Sequence, residues 1–358
     1  MQAAGMPPSV WRKSPPSMQS TAMSLAPTTT PALASSNDPM EELRKESAMG
    51  AVGTTVAREV RVIDLRHFEQ RRAEITEQLW RAATETGFFQ VSHHGIDQAD
   101  VDAAFARSEQ LFALPESTKA QWPLARNAGW ESRAQIRPST GKADLKESYQ
   151  VTRPRMAGRW PSEVELPGFQ AATLQFEAQC WAVGMRILSC FAERLELAHD
   201  FFAQAHQPGS PHYQSTLRML RYFAQRPDQE AGAWRAGAHT DFDCLTLLFQ
   251  RPGQGGLEVL PGKEAAEGAW TPVPPVEGVI TCNIGDMLMR WSDDQLLSNF
   301  HRVRNPGPGD YQGDRYSLAF FCQANEDITI RSPSGKYPDI TAADYLQQRI
   351  NANFANTY

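Results

Sequence analysis

The chain has 358 residues, of which 41% are hydrophobic and 21% are charged, and its formal net charge is -6. This hydrophobic content is sufficient for one large domain or two small ones. The sequence has no block of like charges that would indicate a nucleic-acid partner, and no run of about 18 apolar residues that would indicate a membrane span. Small-molecule chemistry is therefore the favoured class of function.

The stretch MPPSVWRKSPPSMQSTAMSLAPTTTPALASSN near the start is rich in Pro, Ser, Thr and Ala and contains no apolar segment typical of a signal sequence. Such a composition cannot bury enough apolar surface to fold. We therefore expect residues 1–56 to form a disordered tail.

Regular structure is predicted to begin with the alternating apolar run VRVIDLRHF. A helical pattern follows, in which Ile75, Leu79, Ala82 and Ala83 recur at spacings of three and four residues. Gly87 is then a suitable C-cap before the strand FFQVS. The segment is predicted to be strand, helix, strand.

Three further features precede the second half of the chain. The helix ADVDAAFARSEQLFALP is predicted to stop at Pro115, and residues 123–165 are expected to form an irregular lid or binding loop. A long helix is predicted over residues 168–197. Its apolar stripe, which we assign to the core, consists of Leu174, Ala178, Trp181, Met185, Leu188, Ala192 and Leu195.

From Thr216 onward the pattern changes to short β segments separated by Gly, Pro and Asp turns. They are TLRMLRYFA, CLTLLFQ, GLEVLP, WTPVP, VITCNIG, FHRVR and RYSLAFFCQ. This arrangement favours an α+β fold with a double-stranded β-helix (jelly roll) core and flanking helices. The closing segment ITAADYLQQRINANFANTY is predicted to be a helix with Thr341 as its N-cap.

The five cysteines are an odd number, widely spaced and mostly inside apolar segments, which is typical of buried thiols in a reducing compartment. We therefore expect no disulfides and a cytoplasmic location. The residues are Cys180, Cys190, Cys244, Cys282 and Cys322.

His239 and Asp241 lie two residues apart, so on an extended segment both point to one face while Thr240 points away. The same spacing also suits a surface turn with an Asx-type hydrogen bond. His301, at the start of the segment FHRVR, provides a third ligand. Two histidines and a carboxylate suit non-haem Fe(II), and zinc is less favoured because the helical HExxH arrangement is missing.

Arg315 and Ser317 lie on the same side of the strand DRYSLAFF. A guanidinium and a hydroxyl match the oxygens of a carboxylate, although an isolated arginine more commonly forms a surface ion pair. The neighbours Leu318, Phe320 and Phe321 are apolar, so a charge entering this region needs a partner, which a ligand carboxylate can supply.

Together these segments resemble the iron(II) and 2-oxoglutarate-dependent dioxygenases of the isopenicillin N synthase-like group. The N-terminal domain of that group is matched by VIDL and GFFQVSHHGI, and the catalytic domain by HTDFDCLTLLFQ, GGLEVL, NIGDMLMRWSDDQLLSNFHRV and DRYSLAFF. The resemblance implies an N-terminal dioxygenase domain and loop over residues 57–165. It implies a helix plus jelly-roll catalytic domain, with a C-terminal helix, over residues 166–358.

The resemblance also implies roles for single residues. His239, Asp241 and His301 would hold Fe(II), and Arg315 and Ser317 would bind the distal carboxylate of 2-oxoglutarate. The tyrosine of the family's Asn-x-Tyr element is replaced here by phenylalanine, within Arg221, Tyr222 and Phe223. That contact is then lost or moved to Arg218, Arg221 or Tyr222, of which we select Tyr222.

The activity implied is the O2-dependent oxidation of a small molecule (hydroxylation, desaturation or cyclisation) with release of succinate and CO2. No nucleic-acid or membrane partner is expected, and the chain is expected to be a monomer. Two alternatives stay open: an iron oxidase of the same fold that does not use 2-oxoglutarate, and a non-catalytic ligand-binding jelly roll.

Several polar residues have two interpretations. Asp286 and Asp243 are interpreted as turn or local hydrogen-bonding residues rather than partners of the metal ligands. The basic residues of the long loop are interpreted as solvated charges, which would favour an acidic substrate if the loop closes over the site. They are Arg126, Arg133, Arg137 and Lys142.

Overall fold

A computed structural model describes residues 54–136, 142–224, 234–261 and 268–354, with side chains as far as residue 351. The tail predicted to be disordered lies outside these ranges, apart from its last three residues. Thr54 and Thr55 form a short parallel pairing with Ala269 and Trp270. Arg137 also lies outside the described residues.

The described ranges contain three longer helices in the first two thirds of the chain, and each agrees with a predicted helix to within a few residues. The helices are α1 (Arg72–Glu85), α2 (Gln98–Ala113), α3 (Glu116–Lys119), α4 (Phe169–Arg194), α5 (Phe201–Ala205), α6 (Asp286–Trp291) and α7 (Ala342–Phe354). Thr341 accepts a hydrogen bond from the Asp344 N–H at 3.1 Å, which confirms the predicted N-cap. No helix in these ranges is long and apolar enough to cross a membrane.

The strands form two large sheets and a short pair, and each predicted β segment after Thr216 corresponds to a strand. They are β1 (Thr54–Thr55), β2 (Val62–Asp64), β3 (Phe88–Ser92), β4 (Gly129–Ser132), β5 (Lys146–Val151), β6 (Thr216–Tyr222), β7 (Ala236–His239), β8 (Leu245–Gln250), β9 (Leu257–Val259), β10 (Ala269–Pro272), β11 (Val279–Ile284), β12 (His301–Val303), β13 (Arg315–Cys322), β14 (Thr329–Ile330) and β15 (Ile340–Thr341).

The larger sheet has the order β2-β3-β11-β8-β13-β6-β5-β4, and the smaller has the order β1-β10-β9-β12-β7. The short pair is β14 with β15. This strand order, with helices packed on one side, is the predicted α+β arrangement with a jelly-roll core.

Side-chain alternation gives the larger sheet two different faces. On β13, Leu318 and Phe320 belong to the large core shared with the helices, whereas Ala319 belongs to a smaller cluster. That smaller cluster also contains Leu257 and Val303 of the smaller sheet. We call the first face the outer face and the second, which lies toward the smaller sheet, the inner face. Residues of the same parity as Ala319, including Arg315 and Ser317, lie on the inner face.

The expectation that residues 123–165 are irregular was wrong in part. This segment contains β4 and β5, and β5 pairs antiparallel with β6 over residues 146–151. The sequence of β5, KESYQV, is buried at every position and therefore lacks the polar alternation of a half-exposed strand. Pairing with a strand some 70 residues later, as between Glu147 and Arg221, is not visible in a local pattern.

The predicted apolar stripe of α4 is correct at Met185, Leu188 and Ala192, which are buried. Ala178 is exposed, however, while Phe176 and Cys180 on either side of it are buried. In the first half of α4, the buried side of the helix is therefore rotated slightly from the predicted stripe. Glu177 is also buried there.

All five cysteines are buried and free. Burial raises the pKa of the thiols of Cys180, Cys244 and Cys322 well above the ordinary value, which keeps them protonated and unreactive. The expectation of buried thiols without disulfides is confirmed.

Candidate metal and cosubstrate site

The smaller sheet brings the two predicted histidine ligands side by side. His239 ends β7, His301 begins β12, and the two residues are direct partners in the antiparallel register. Their ring centroids lie 4.3 Å apart. Asp241 follows β7, and its Oδ1 lies 4.0 Å from His239 Nε2 and 3.7 Å from His301 Nε2. One ligand atom from each residue lies within 4.8 Å of the other two, a group that can hold a metal ion.

Neighbouring backbone carbonyls set the orientation of both imidazole rings. His239 Nδ1 lies 2.8 Å from the Gly237 carbonyl, and His301 Nδ1 lies 3.3 Å from the Asn299 carbonyl. A carbonyl can only accept, so Nδ1 carries the proton and Nε2 keeps a lone pair. This is the tautomer that a metal ligand requires.

The carboxylate of Asp241 is held through one of its oxygens. Oδ2 accepts hydrogen bonds from Thr246 Oγ1 at 2.7 Å and Asn283 Nδ2 at 2.8 Å. Thr246 of β8 and Asn283 of β11 are partners in the larger sheet, on its inner face. The other oxygen, Oδ1, therefore faces the two imidazole nitrogens, at separations longer than hydrogen bonds. Two imidazole nitrogens and one carboxylate oxygen form a donor set that fits Fe(II).

Helix α6 supports the loop that carries Asp241. The Asp286 N–H donates to the Asp241 carbonyl at 2.8 Å, and Thr240 Oγ1 donates to Asp286 Oδ2 at 3.0 Å. Thr240 thus points away from the histidines, as predicted. Gly285 is required at this approach, because a Cβ there would lie 2.2 Å from the Asp243 carbonyl.

Asp286 is more than the turn residue that we expected. Its carboxylate is almost fully buried and forms an ion pair with Arg349 of α7, Oδ2 to Nη2, at 2.8 Å. Arg349 Nη2 also donates to Thr240 Oγ1 at 3.4 Å. Burial raises the pKa of Asp286 and Arg349 opposes that shift. The C-terminal helix is therefore tied to the loop between His239 and Asp241, a link that no local sequence pattern indicates.

Asp243 is buried and accepts a hydrogen bond from Thr246 Oγ1 at 3.1 Å. It makes the local contact expected of it and stands outside the group of three possible ligands. Burial, together with the nearby charge of Asp241, raises its pKa well above the ordinary value.

Arg315 lies on the inner face of β13 and is 1% exposed. Its Nη2 donates to Gln250 Oε1 at 2.9 Å and its Nε to the Gln254 carbonyl at 3.0 Å. Nη1 is buried without a hydrogen-bond partner, and so is Ser317 Oγ two residues later. Among the residues described, no carboxylate pairs with this arginine. A buried cation with a spare donor beside a spare hydroxyl fits a ligand carboxylate such as that of 2-oxoglutarate.

Three residues of β6 were proposed to replace the missing tyrosine contact, and Arg218 and Tyr222 lie on its inner face. Arg218 is paired with Glu131 at 2.6 Å. Tyr222 lies on the inner face, with its ring 4.8 Å from the Arg315 guanidinium. Arg221 lies on the opposite face and pairs with Asp314 at 2.7 Å and Glu147 at 3.0 Å. Arg221 is therefore occupied elsewhere, and Tyr222 is the neighbour of the proposed carboxylate site.

A second buried arginine near this site was not predicted. Arg235, just before β7, is 2% exposed and donates through Nη2 to the Gly313 carbonyl at 2.8 Å. Burial lowers its pKa, and the positive charge of Arg315 lowers it further. The only sequence feature that could have indicated a role for Arg235 is its position four residues before His239.

A cavity of about 400 Å³ opens beside His239 and Asp241. It is lined by parts of the long loop, including Glu131 and Ile136, and by Leu346 and Ile350 of α7. This volume lies within the range of small-molecule sites. Within the segment 123–165, expected to form a lid or binding loop, Asn127, Glu131, Gln135, Ile136 and Gln150 line this cavity.

Two of the basic residues of the loop, Arg126 and Arg133, are engaged in contacts of their own. Arg126 pairs with Glu326 at 2.7 Å, and the guanidinium of Arg133 lies 4.7 Å from the centre of the Phe223 ring. These contacts remove support from the expectation of an acidic substrate.

Comparison with known proteins agrees with this geometry. The family model of the 2OG-Fe(II) oxygenase superfamily matches residues 214–324, and that of the non-haem dioxygenase N-terminal region (in morphine synthesis) matches residues 60–164.

Curated relatives carry related names. The chain is 33% identical to the proline hydroxylase buaE of Petromyces alliaceus, over 78% of this chain and 93% of that protein. It is 32% identical to a 2-oxoglutarate-dependent dioxygenase of Didymella fabae, over 78% of this chain and 91% of that one.

A solved structure is also similar. A full-length Neurospora crassa protein, crystallised in complex with alpha-KG and thymine, aligns with a TM-score of 0.73 and 28% identity, over 84% of this chain and 97% of that one. Family and fold agree with the buried His-Asp-His group, and the chain belongs to the 2OG-Fe(II) oxygenase superfamily, enzymes that use Fe(II), 2-oxoglutarate and O2.

Proposed function

We propose that this enzyme oxidises a C–H bond of a small molecule, with Fe(II) held by His239, Asp241 and His301 and 2-oxoglutarate held by Arg315, Ser317 and Tyr222. The observation that carries this assignment is the buried Arg315, whose Nη1 has no partner and which no carboxylate of the described residues neutralises. A buried charge of this kind needs an anionic ligand.

When bound, Fe(II) and 2-oxoglutarate supply the oxidising power, drawn from O2, and release succinate and CO2. The protein contributes orientation and a site protected from water. The Gly237 and Asn299 carbonyls orient the two imidazole rings through Nδ1, and Thr246 and Asn283 fix the Asp241 carboxylate. These outer contacts set the electron-donating character of the ligands.

An oxidase of the same fold that does not use 2-oxoglutarate is the second candidate. Such an enzyme does not have to bind the distal carboxylate of 2-oxoglutarate, so the buried Arg315 Nη1 and Ser317 Oγ, which both lack partners, favour the 2-oxoglutarate enzyme. A non-catalytic binding protein is less well supported, because two of the three possible metal ligands, His239 and Asp241, line a cavity.

The substrate is proposed to be a small molecule that enters the cavity beside His239 and Asp241. A small molecule, thymine, occupies the Neurospora structure, which supports this proposal. We propose further that the chain works as a monomer in the cytoplasm, where five free thiols stay reduced. The domain limits proposed are those expected from the sequence, residues 57–165 and 166–358.

The assignment is tested by measuring 2-oxoglutarate binding and succinate release in the presence of Fe(II) and O2. Wild-type protein is expected to bind 2-oxoglutarate only with a divalent metal and to release succinate slowly without substrate. Arg315→Lys serves as the matched variant, because it keeps the charge and removes the planar fork. Binding of iron without any binding of 2-oxoglutarate would favour the second candidate.

A further inference from the structure

An ion pair lines the cavity beside the proposed iron ligands. Arg218 Nη2 lies 2.6 Å from Glu131 Oε1, and the two side chains are only 14% and 11% exposed. Both residues line the cavity, and neither belongs to the proposed metal and cosubstrate sites. A largely buried polar pair at the wall of a ligand cavity is a candidate for substrate recognition.

The strand register explains why Glu131 faces the cavity. Glu131 of β4 is the partner of Ser148 of β5, and Ser148 is in turn the partner of Leu220 of β6. Leu220 belongs to the inner-face cluster, so Ser148 and Glu131 also lie on the inner face.

The contacts of the Glu131 carboxylate are concentrated on one oxygen. Oε1 accepts hydrogen bonds from Gln135 Nε2 at 2.9 Å, Ser148 Oγ at 2.8 Å and Arg218 Nη2 at 2.6 Å. These three donors hold the carboxylate in a fixed orientation. They leave the other oxygen, Oε2, without a hydrogen-bond partner among the residues described.

Oε2 is not sealed inside the protein. It differs in this respect from Arg218 Nε, which is fully buried and has no partner. Because the Glu131 side chain lines the cavity, Oε2 offers a fixed acceptor to a molecule bound there. A carboxylate oxygen can only accept, so the group that it binds must be a donor, an O–H or an N–H.

The charge balance of the pair favours an uncharged donor. Arg218 already neutralises Glu131, so an ammonium group at Oε2 would lose its hydration next to a guanidinium. A ligand carboxylate at the same position would meet the negative charge of Glu131. A hydroxyl or a neutral N–H avoids both costs.

The remaining lining is mixed, and much of it is polar but uncharged. The uncharged polar residues are Asn127, Gln135, Gln150, Thr216, Gln323 and Gln347. They suit a ligand that carries further neutral polar groups rather than a hydrocarbon alone.

Glu131 is separated from the proposed iron ligands by the width of several strands. The Asp241 carboxylate is held by Thr246 of β8, and β13, β6 and β5 lie between β8 and β4 in the sheet. Glu131 therefore contacts a different part of a bound molecule from the part that lies beside His239 and Asp241.

We propose that Glu131 is a specificity-determining residue, and that the substrate is an uncharged molecule whose hydroxyl or N–H group donates a hydrogen bond to Glu131 Oε2. Arg218 then serves to balance the charge of Glu131 and to fix its orientation. This inference rests on the proposed function, because it places the substrate in the cavity beside the proposed iron ligands.

The test uses the full chain loaded with 2-oxoglutarate and Zn(II), which has no redox chemistry, so that binding is measured without turnover. Ligand-observed NMR compares four probes on one ring near neutral pH: tetrahydropyran-4-ol, its methyl ether, 4-aminotetrahydropyran and tetrahydropyran-4-carboxylate. We expect the alcohol to bind about tenfold more tightly than the ether, which lacks the donor, because a hydrogen bond to a charged group is lost. The ammonium and carboxylate probes should also bind more weakly than the alcohol.

Glu131→Gln assigns the selectivity to one atom. The donors of Gln135, Ser148 and Arg218 hold the amide oxygen in the place of Oε1, so the NH2 group takes the place of Oε2. This group donates to the alcohol and to the ether, which should therefore bind alike. Glu116→Gln, at an exposed position outside the cavity, is the matched control and should keep the preference for the alcohol.

The affinity of each variant for 2-oxoglutarate shows that the variant is folded, because Glu131 lies outside the proposed cosubstrate site. The comparison of probes on the wild-type protein requires no variant at all. If 2-oxoglutarate does not bind the metal-loaded wild type, the proposed function fails.

If 2-oxoglutarate binds, the remaining outcomes concern the substrate inference alone. The inference is overturned if the ether or a charged probe binds as tightly as the alcohol, or if Glu131→Gln keeps the preference for the alcohol. Absence of alcohol binding at millimolar concentration also overturns it.

Discussion

The two faces of the eight-stranded sheet are built from the same strands, but the inner face, besides its small apolar cluster, carries more buried polar side chains than the outer face. On the outer face, Leu247 and Phe320 are fully buried in an apolar core shared with the helices. On the inner face, the neighbouring residues Thr246 and Ser317 are equally buried but polar. Alternation along each strand thus places the large apolar core on one side, and the polar side chains proposed to hold 2-oxoglutarate or to contact a metal ligand on the other.

The difference between the two faces shows how the fold tolerates a site that lowers the stability of the folded state. Buried polar atoms without partners, such as Arg315 Nη1 and Ser317 Oγ, reduce the stability of the folded state. The outer face supplies compensating apolar burial through the same backbone. Inner-face substitutions should therefore change ligand binding with little loss of stability, and outer-face substitutions should do the opposite.

The largest effect is expected for Asp241→Ala. Removing a metal ligand should abolish turnover. The loss should exceed the roughly 10- to 100-fold decrease that is typical when only a hydrogen-bond partner of a metal ligand is removed. Succinate release measures the loss. The metal-free variant should unfold at a denaturant midpoint no lower than that of the metal-free wild type, since a buried carboxylate is lost. Activity within tenfold of wild type would refute the ligand assignment.

The second largest effect is expected for a substitution on the outer face. Phe320→Ala should lower the free energy of unfolding by about 3–5 kcal/mol, because it leaves a cavity in the core between sheet and helices. Denaturant unfolding measures this change. The affinity of the folded fraction for 2-oxoglutarate should stay unchanged, and a large change in that affinity would contradict the separation of the two faces.

Arg315→Met should chiefly weaken 2-oxoglutarate binding. Loss of the partner of a buried carboxylate costs about 2–5 kcal/mol, or at least about 30-fold in affinity. Titration of 2-oxoglutarate into the metal-loaded protein measures it. Stability of the ligand-free protein should be equal or higher, because an unpaired buried cation is removed. Unchanged affinity would place the carboxylate elsewhere.

The smallest effect is expected for Thr246→Val. It keeps the shape of the side chain and removes one of the two hydrogen bonds to Asp241 Oδ2, together with the contact to Asp243 Oδ2. Iron affinity should fall about tenfold, the lower end of the range for an outer partner of a metal ligand. A competition titration with a chelator measures it. Thr281→Val, on the inner face of the neighbouring strand, is a useful control because the hydrogen bonds of Thr281 are to Gln90 and Gln250 rather than to Asp241.

Much of the fold and of the site could be predicted because both depend on local patterns. Most strands after Thr216 are short apolar segments bounded by turns, and His239, Asp241 and His301 lie on or next to such strands. The group of three was then recognisable as a whole, although His239 and Asp241 alone were equally compatible with a turn.

What was missed depends on contacts between distant segments. The strand β5 was not predicted because its pairing with β6 buries all its residues. The ion pair of Asp286 with Arg349 joins a short helix to the last described helix. Neither residue type nor spacing indicates such a partner, so Asp286 was assigned to a turn.

The ion pair between Asp286 and Arg349 also has a consequence for the order in which the site is made. Arg349 lies 109 residues after Thr240, which it contacts. At translation rates of about 5–20 residues per second, the anchor of the metal loop is synthesised roughly 5–20 seconds after the loop itself. All three proposed ligands thus leave the ribosome before the helix that fixes their loop, and the site acquires its final geometry only late in synthesis.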